Sequence, residues 1–152
     1  MNENLSLTKA AITACFAAIA AFLGWRMILL LTWVVLMGLD YLSGTLAARS
    51  KGEWKSSLAR EGIFHKAGQV LVVLVSMAAD FVMVLLSAHI PGEIPLAWPV
   101  VIFPMVTMWY ILTEIGSIIE NAVCMGAKVP HWLPKLLNAT VSAIDHAVQT
   151  EE

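Results

Sequence analysis

An all-helical protein that crosses a membrane several times is the fold this sequence predicts, and three observations predict it. Hydrophobic residues make up 59 % of the 152 and charged residues only 13 %, whereas an average soluble domain carries about 25 % charged residues. The apolar residues gather in long runs between residues 10 and 119. Five of the nine Lys and Arg residues sit in one short stretch, Arg49 to Lys66. A chain this poor in polar groups cannot coat a globule, and its mean hydropathy of +0.79 makes lipid its solvent.

A helix rises about 1.5 Å per residue, so roughly 20 apolar residues cross the hydrocarbon. Four segments qualify by length or nearly so: Ala10 to Trp25, Met27 to Ala48, Ala67 to Ile90 and Leu96 to Ile119. The first is short. Between Ala10 and Leu23 its one polar side chain is Thr13, so it lacks the polar face of an interfacial helix. It reads as a short span paired with the second as a hairpin, and as a retained helix rather than a cleaved signal peptide. Glu3 weakens the positive start that a signal needs, and Met27 onward is again membrane-like. Breaks fall at Gly24-Trp25-Arg26, in the charged loop 49–66, and at Pro91-Gly92-Glu93-Ile94-Pro95. Pro99 and Pro104 in the fourth span predict a kink.

After Pro130 the pattern changes. Leu133, Leu137, Val141, Ile144 and Val148 recur at helical spacing, opposite Lys135, Asn138, Ser142, Asp145 and Gln149. This is an amphipathic helix for the inner membrane surface or for a partner. The organisation is thus a transmembrane unit, 1–129, followed by an amphipathic tail, 130–152.

Charge sets the orientation. With four spans and both termini in the cytoplasm, Lys9, Arg49, Lys51, Lys55, Arg60, Lys66, Lys128 and Lys135 lie inside and Arg26 alone lies outside. That is a strong positive-inside bias, with the basic loop on the cytoplasmic side. Trp25 and Trp98 then mark the outer interface, Trp54 and Trp132 the inner one. Arg49, Lys51, Lys55, Arg60 and Lys66 fix the topology and bind anionic head groups.

Three acids interrupt the spans: Asp40, Asp80 and Glu114. A charge at mid-bilayer costs about 2.5–3.5 kcal/mol even on insertion scales, so such residues mark function. The spans as bounded contain no Lys or Arg. The acids are therefore expected to be protonated, hydrogen-bonded to neighbours, or facing water in an oligomer's lumen. Ala10, Ala14 and Ala18, and Gly44 with Ala48, form small-residue faces. Such faces let helices approach closely in lipid, between subunits or within one.

No catalytic pattern is present. His65, His89, His131 and His146 are scattered, and Cys15 and Cys124 fit no metal spacing. No phosphate loop, nucleophile elbow or basic nucleic-acid stripe appears. Neither enzyme activity, a cofactor, a metal nor a nucleic-acid partner is expected.

Three elements carry a resemblance. Asp40-Tyr41-Leu42-Ser43-Gly44-Thr45-Leu46-Ala47-Ala48 ends a span, Gly62-Ile63-Phe64-His65-Lys66 ends the basic loop, and Glu114-Ile115-Gly116-Ser117-Ile118-Ile119-Glu120-Asn121 ends another span. Gly126 and Val129-Pro130 follow. Together they resemble the phage holin family of the toxin-secretion and phage-lysis type, over about residues 20–137. The resemblance implies a small protein of the bacterial inner membrane that partners the bilayer and itself. It oligomerises into non-selective lesions that release a murein hydrolase or a toxin without binding it directly. It points to Asp40, Tyr41, Gly44, Glu114, Glu120 and Asn121 as family-pattern residues. Many members of that family carry a strongly charged, often basic tail, whereas this sequence has no Lys or Arg after Lys135 and closes with Gln149-Thr150-Glu151-Glu152. The unpaired acids alone also admit a small proton or cation channel. The basic loop admits a membrane adaptor or anti-holin.

Overall fold

The computed structural model describes residues 2–89 and 101–149. They form five helices and, among the described residues, no strand: α1 (Asn2–Leu23), α2 (Arg26–Ser50), α3 (Ser56–His89), α4 (Ile102–Cys124) and α5 (Trp132–Gln149). Three are long and apolar enough to cross a membrane, Arg26–Ser50, Ala59–His89 and Ile102–Cys124, and a shorter apolar stretch covers Leu5–Ala18. The protein is therefore an all-α, polytopic membrane protein. The expected turn at 91–95, with Trp98 and Pro99, lies outside the described residues.

α4 is the centre of the bundle. It packs along α2, then α3, then α5, while α2 and α3 touch each other little. A small apolar core of Trp33, Val73, Phe103 and Ile111 joins the three long helices. Trp33 and Tyr110 tilt against each other with ring centroids 6.0 Å apart. The outward faces of α2 and α3 carry exposed large apolar residues, among them Ile28, Val35, Leu71 and Val75. This suits lipid, where helices associate by packing and interhelical hydrogen bonds rather than by burial from water.

α2 and α4 end at the same end of the bundle, and they end alike. Glu53 N–H bonds Ala48 C=O at 3.0 Å and Gly52 N–H bonds Arg49 C=O at 3.1 Å, with Gly52 at φ 69°. Ala127 N–H bonds Ala122 C=O at 3.0 Å and Gly126 N–H bonds Val123 C=O at 2.9 Å, with Gly126 at φ 95°. Both are Schellman closures, and glycine supplies the left-handed residue each needs. Arg49 lies over the Trp54 ring at 5.3 Å, tying the end of α2 to the short connection before α3.

Four expectations change. α3 starts at Ser56, so the basic loop shrinks from 49–66 to 51–55, and Arg60 and Lys66 belong to a helix. The amides at Ala59 and beyond bond backward at helical spacing, and no Gly or Pro pair stops them. α1 is not a packed hairpin partner of α2: its described side chains, 5–18 and 21, are all exposed. Pro104 does not kink α4, because it sits in the first turn, where its missing N–H leaves no bond unmade. Finally, α5 turns back along α4 instead of leaving the bundle. Its stripe Leu133, Leu137, Val141 and Ile144 is half-buried, while Lys135, Asn138 and Ser142 are exposed.

Candidate functional site

The buried face of α3 is mostly polar. Lys66, Gln69, Val73, Ser76 and Asp80 recur at heptad-like spacing and line one stripe facing α4, with Lys66 half-buried and the others buried. α4 answers with Phe103, Thr107, Ile111 and Glu114, all buried. Lipid faces the apolar side of α3, so its polarity is inverted relative to a helix on a soluble protein.

Lys66 organises the end of this seam near the basic connection. Its Nζ lies 2.9 Å from Asp40 Oδ2 on α2 and 2.7 Å from Glu114 Oε2 on α4. Glu114 is only 2 % exposed. One ammonium thus joins two carboxylates from two other helices. Asn121, two turns beyond Glu114, donates from Nδ2 to Asp40 Oδ1 at 3.1 Å and to Ser43 Oγ at 3.0 Å. Ser43 in turn donates to the Asp40 carbonyl at 3.0 Å. Asn121 packs against Gly44, where a Cβ would stand at ordinary contact distance, 3.5 Å from Asn121 Nδ2. A cavity of about 250 Å³ opens beside the cluster, lined in part by Tyr41, Lys55, Gly62 and Ser117.

The expectation that Asp40 and Glu114 lack a cation is therefore corrected. The physical reason is the earlier start of α3, which carries Lys66 into the bundle. Buried ion pairs need close geometry and further hydrogen bonds to offset desolvation; Asp40 has both, whereas Glu114 has the close contact to Lys66 while its Oε1 is buried without a hydrogen-bond partner.

Asp80 is satisfied without any cation. It is 4 % exposed, and its two oxygens accept from Ile102 N–H at 3.1 Å and Phe103 N–H at 3.0 Å. α4 has no side-chain cap of its own at Val101. The carboxylate supplies one from α3 and occupies the positive end of the helix dipole. Pro104 has no N–H, and Met105 N–H already bonds Val101 C=O at 2.9 Å. The opening turn of α4 is thus fully accounted for.

The remaining expected residues separate into groups. Asp40, Gly44, Glu114 and Asn121 converge, although they lie on two helices. Tyr41 and Ala48 line the adjoining cavity. Glu120 points instead toward α5, in a gap with Cys124 and Asn138. Arg49, Lys51, Lys55 and Arg60 are exposed near the ends of α2 and α3. Lys51 Nζ lies 3.4 Å from Cys124 Sγ, and both cysteines are free thiols. Ala10, Ala14 and Ala18 are exposed. Sequence reasoning missed Lys66 and Gln69 as interior residues, although their i, i+3 spacing continues to Val73, Ser76 and Asp80. No group of metal-ligating side chains occurs among the described residues.

Similarity to known proteins identifies the family. The chain is 33 % identical over 136 residues to an uncharacterised protein of Halalkalibacterium halodurans, covering 90 % of this chain and 93 % of that one. An uncharacterised protein of Listeria monocytogenes is 32 % identical over 98 residues, 64 % of this chain and 61 % of the relative. One from Clostridium perfringens is 31 % identical over 108 residues, 71 % of each. No solved structure matches. Residues 17–141 match the bacteriophage holin family, and this span takes in the whole Lys66 cluster, the Asp80 cap and most of α5: the chain belongs to the bacteriophage holin family.

Proposed function

We propose that this protein is a working holin: it accumulates in the bacterial cytoplasmic membrane, oligomerises, and opens non-selective lesions that release a murein hydrolase or a toxin. The basic end of the bundle, with Arg49, Lys51, Lys55, Arg60 and Lys128, faces the cytoplasm by the positive-inside rule. α1 serves as the thin fourth crossing, which returns Lys9 to the same side. Cargo passes through without being bound.

The observation that carries this reading is how the polar groups are shared out. The acids of α2, α3 and α4 find partners within one subunit, so they form a clamp that keeps three helices together in lipid. Asp40 and Asp80 are then not the force that drives assembly, as unpaired acids would have been. That role passes to surfaces the bundle leaves unused, including the exposed Ala10, Ala14 and Ala18 face of α1. Small residues there let a second copy approach closely.

The test is controlled expression in a bacterium with and without a cytoplasmic murein hydrolase. Abrupt loss of membrane potential in both, with lysis only when the hydrolase is present, is expected. Growth that continues with the potential intact would reject the reading. Ala14→Leu is expected to leave folding unchanged and to delay the collapse.

A small cation or proton channel is the second reading. The seam of Gln69, Ser76, Asp80, Thr107 and Glu114, with the half-buried Lys66 at one end, favours it, because polar side chains follow one another along the inside of the bundle. That reading requires discrete, ion-selective conductance that excludes proteins, and recordings from planar bilayers separate the two.

A further inference from the structure

α5 occupies an unexpected place. It starts beside the end of α4, where Pro134, Leu137 and Asn138 share a gap with Glu120, Val123 and Cys124. It then runs back along α4 until Ile144 reaches Trp25, Leu29, Pro104, Met105 and Met108. Those residues mark the opposite end of the bundle. Eighteen residues of helix span about 27 Å, close to the thickness of a bilayer's hydrocarbon. The apolar stripe Leu133, Leu137, Val141 and Ile144 faces the subunit's own helices, and Lys135, Asn138 and Ser142 face away.

That orientation conflicts with lipid. An amide or hydroxyl moved from water into hydrocarbon without a partner costs about 2–7 kcal/mol. Lys135 sits within the first turn and can extend to the interface, but Ser142 lies two turns deeper. Between the polar and apolar faces lies a third one, formed by Leu136, Ala139, Thr140 and Ala143, also exposed. A helix with its back on its own subunit, polar groups in front and a small-residue flank has the three surfaces that a member of a ring around water needs.

We infer that α5 lines the lumen of the assembled lesion, with Asn138 and Ser142 toward water and Ala139 and Ala143 against the neighbouring copy. The inference rests on the lesion-forming reading above and assigns its wall. Two open gaps border the seat of α5, one of about 400 Å³ near Glu120 and one of about 250 Å³ near Pro104. Water in the lumen solvates its polar face.

The experiment uses the full chain with Cys15 and Cys124 replaced by Ser, reconstituted in vesicles. Spin labels on Ser142→Cys and Val141→Cys are read with a water-soluble nickel chelate and with oxygen. Leu29→Cys with Ile144→Cys is tested separately for joining by a flexible thiol-to-thiol crosslinker, because the two residues line one gap but their helices lie too far apart for a direct disulfide. Release of an entrapped folded protein is followed in every sample. Expected are nickel access at position 142 several-fold above oxygen access, shielding of 141 from both, and a 29–144 crosslink. Oxygen access at 141 with no crosslink would place α5 flat on the surface. Oxygen exceeding nickel at 142 would place its polar face in lipid. Either result overturns the inference while protein release stands. Absence of release from the unsubstituted chain would instead reject the lesion-forming reading.

Discussion

At one end of the bundle two carboxylates share an ammonium across three helices, whereas at the other a single carboxylate sits on the two amides that open α4. The Lys66 cluster is charge against charge. Its members come from α2, α3 and α4, and loss of any one strands the others in a poorly solvating place. The Asp80 cap is charge against backbone. It involves only α3 and α4, and the amides it serves belong to a helix terminus that some acceptor must satisfy. The comparison teaches that a buried acid in a membrane helix needs donors rather than a cation. It also separates two functions: the cluster fixes which helices associate, and the cap fixes where α4 begins.

The largest effect is expected where charges face each other. Lys66→Met leaves Asp40 and Glu114 without a cation and should cost about 3–5 kcal/mol, the range for breaking a buried pair on one side. Unfolding by denaturing detergent in mixed micelles measures it, and a loss below about 1 kcal/mol would show that the cluster is not held in lipid. Asp80→Leu removes the acceptor for the buried Phe103 N–H and the part-buried Ile102 N–H, and a buried donor left unsatisfied costs about 1–3 kcal/mol. Asp80→Asn keeps one acceptor and should recover much of that loss. Equal losses for the two variants would mean that packing, not capping, explains the position. Gly44→Ala places a methyl at ordinary contact distance from Asn121, so about 1 kcal/mol or less is expected, as for other slight overpacking. Pro104→Ala should be smallest, within about 1 kcal/mol in either direction, because the proline fills a position with no bond to make. A larger loss would mean that it shapes α4.

Much of this was legible in the sequence. Apolar run length gave the three long helices, and the i, i+4 pattern after Pro130 gave α5 and its apolar stripe. The family-pattern residues Asp40, Gly44, Glu114 and Asn121 were singled out one by one, and the structure brings them together. The partner of the acids was not legible. A count of polar residues placed Ser56 to Lys66 in a loop, because charge there is dense. Helical geometry overrides that count: Lys66 lies on one stripe with Gln69, Val73, Ser76 and Asp80, and the exposed charges Arg60 and Glu61 fall on the other side. The cap on α4 was hidden for another reason. Its donors are backbone amides, which carry no signature in side-chain chemistry. The fold-back of α5 depends on a tertiary contact between Ile144 and residues at the far end of α4, and periodicity gives a face without giving its partner.

The central claim is that Lys66 couples α2 and α4 by holding Asp40 and Glu114 together inside the membrane. A double-mutant cycle between Lys66→Met and Glu114→Gln, read as unfolding free energy in the same micelles, tests it most directly. The account predicts strong non-additivity, with the double variant more stable than the sum of the two losses implies and a coupling above about 1 kcal/mol, as for residues in contact. Losses that simply add, to within about 0.5 kcal/mol, would contradict it.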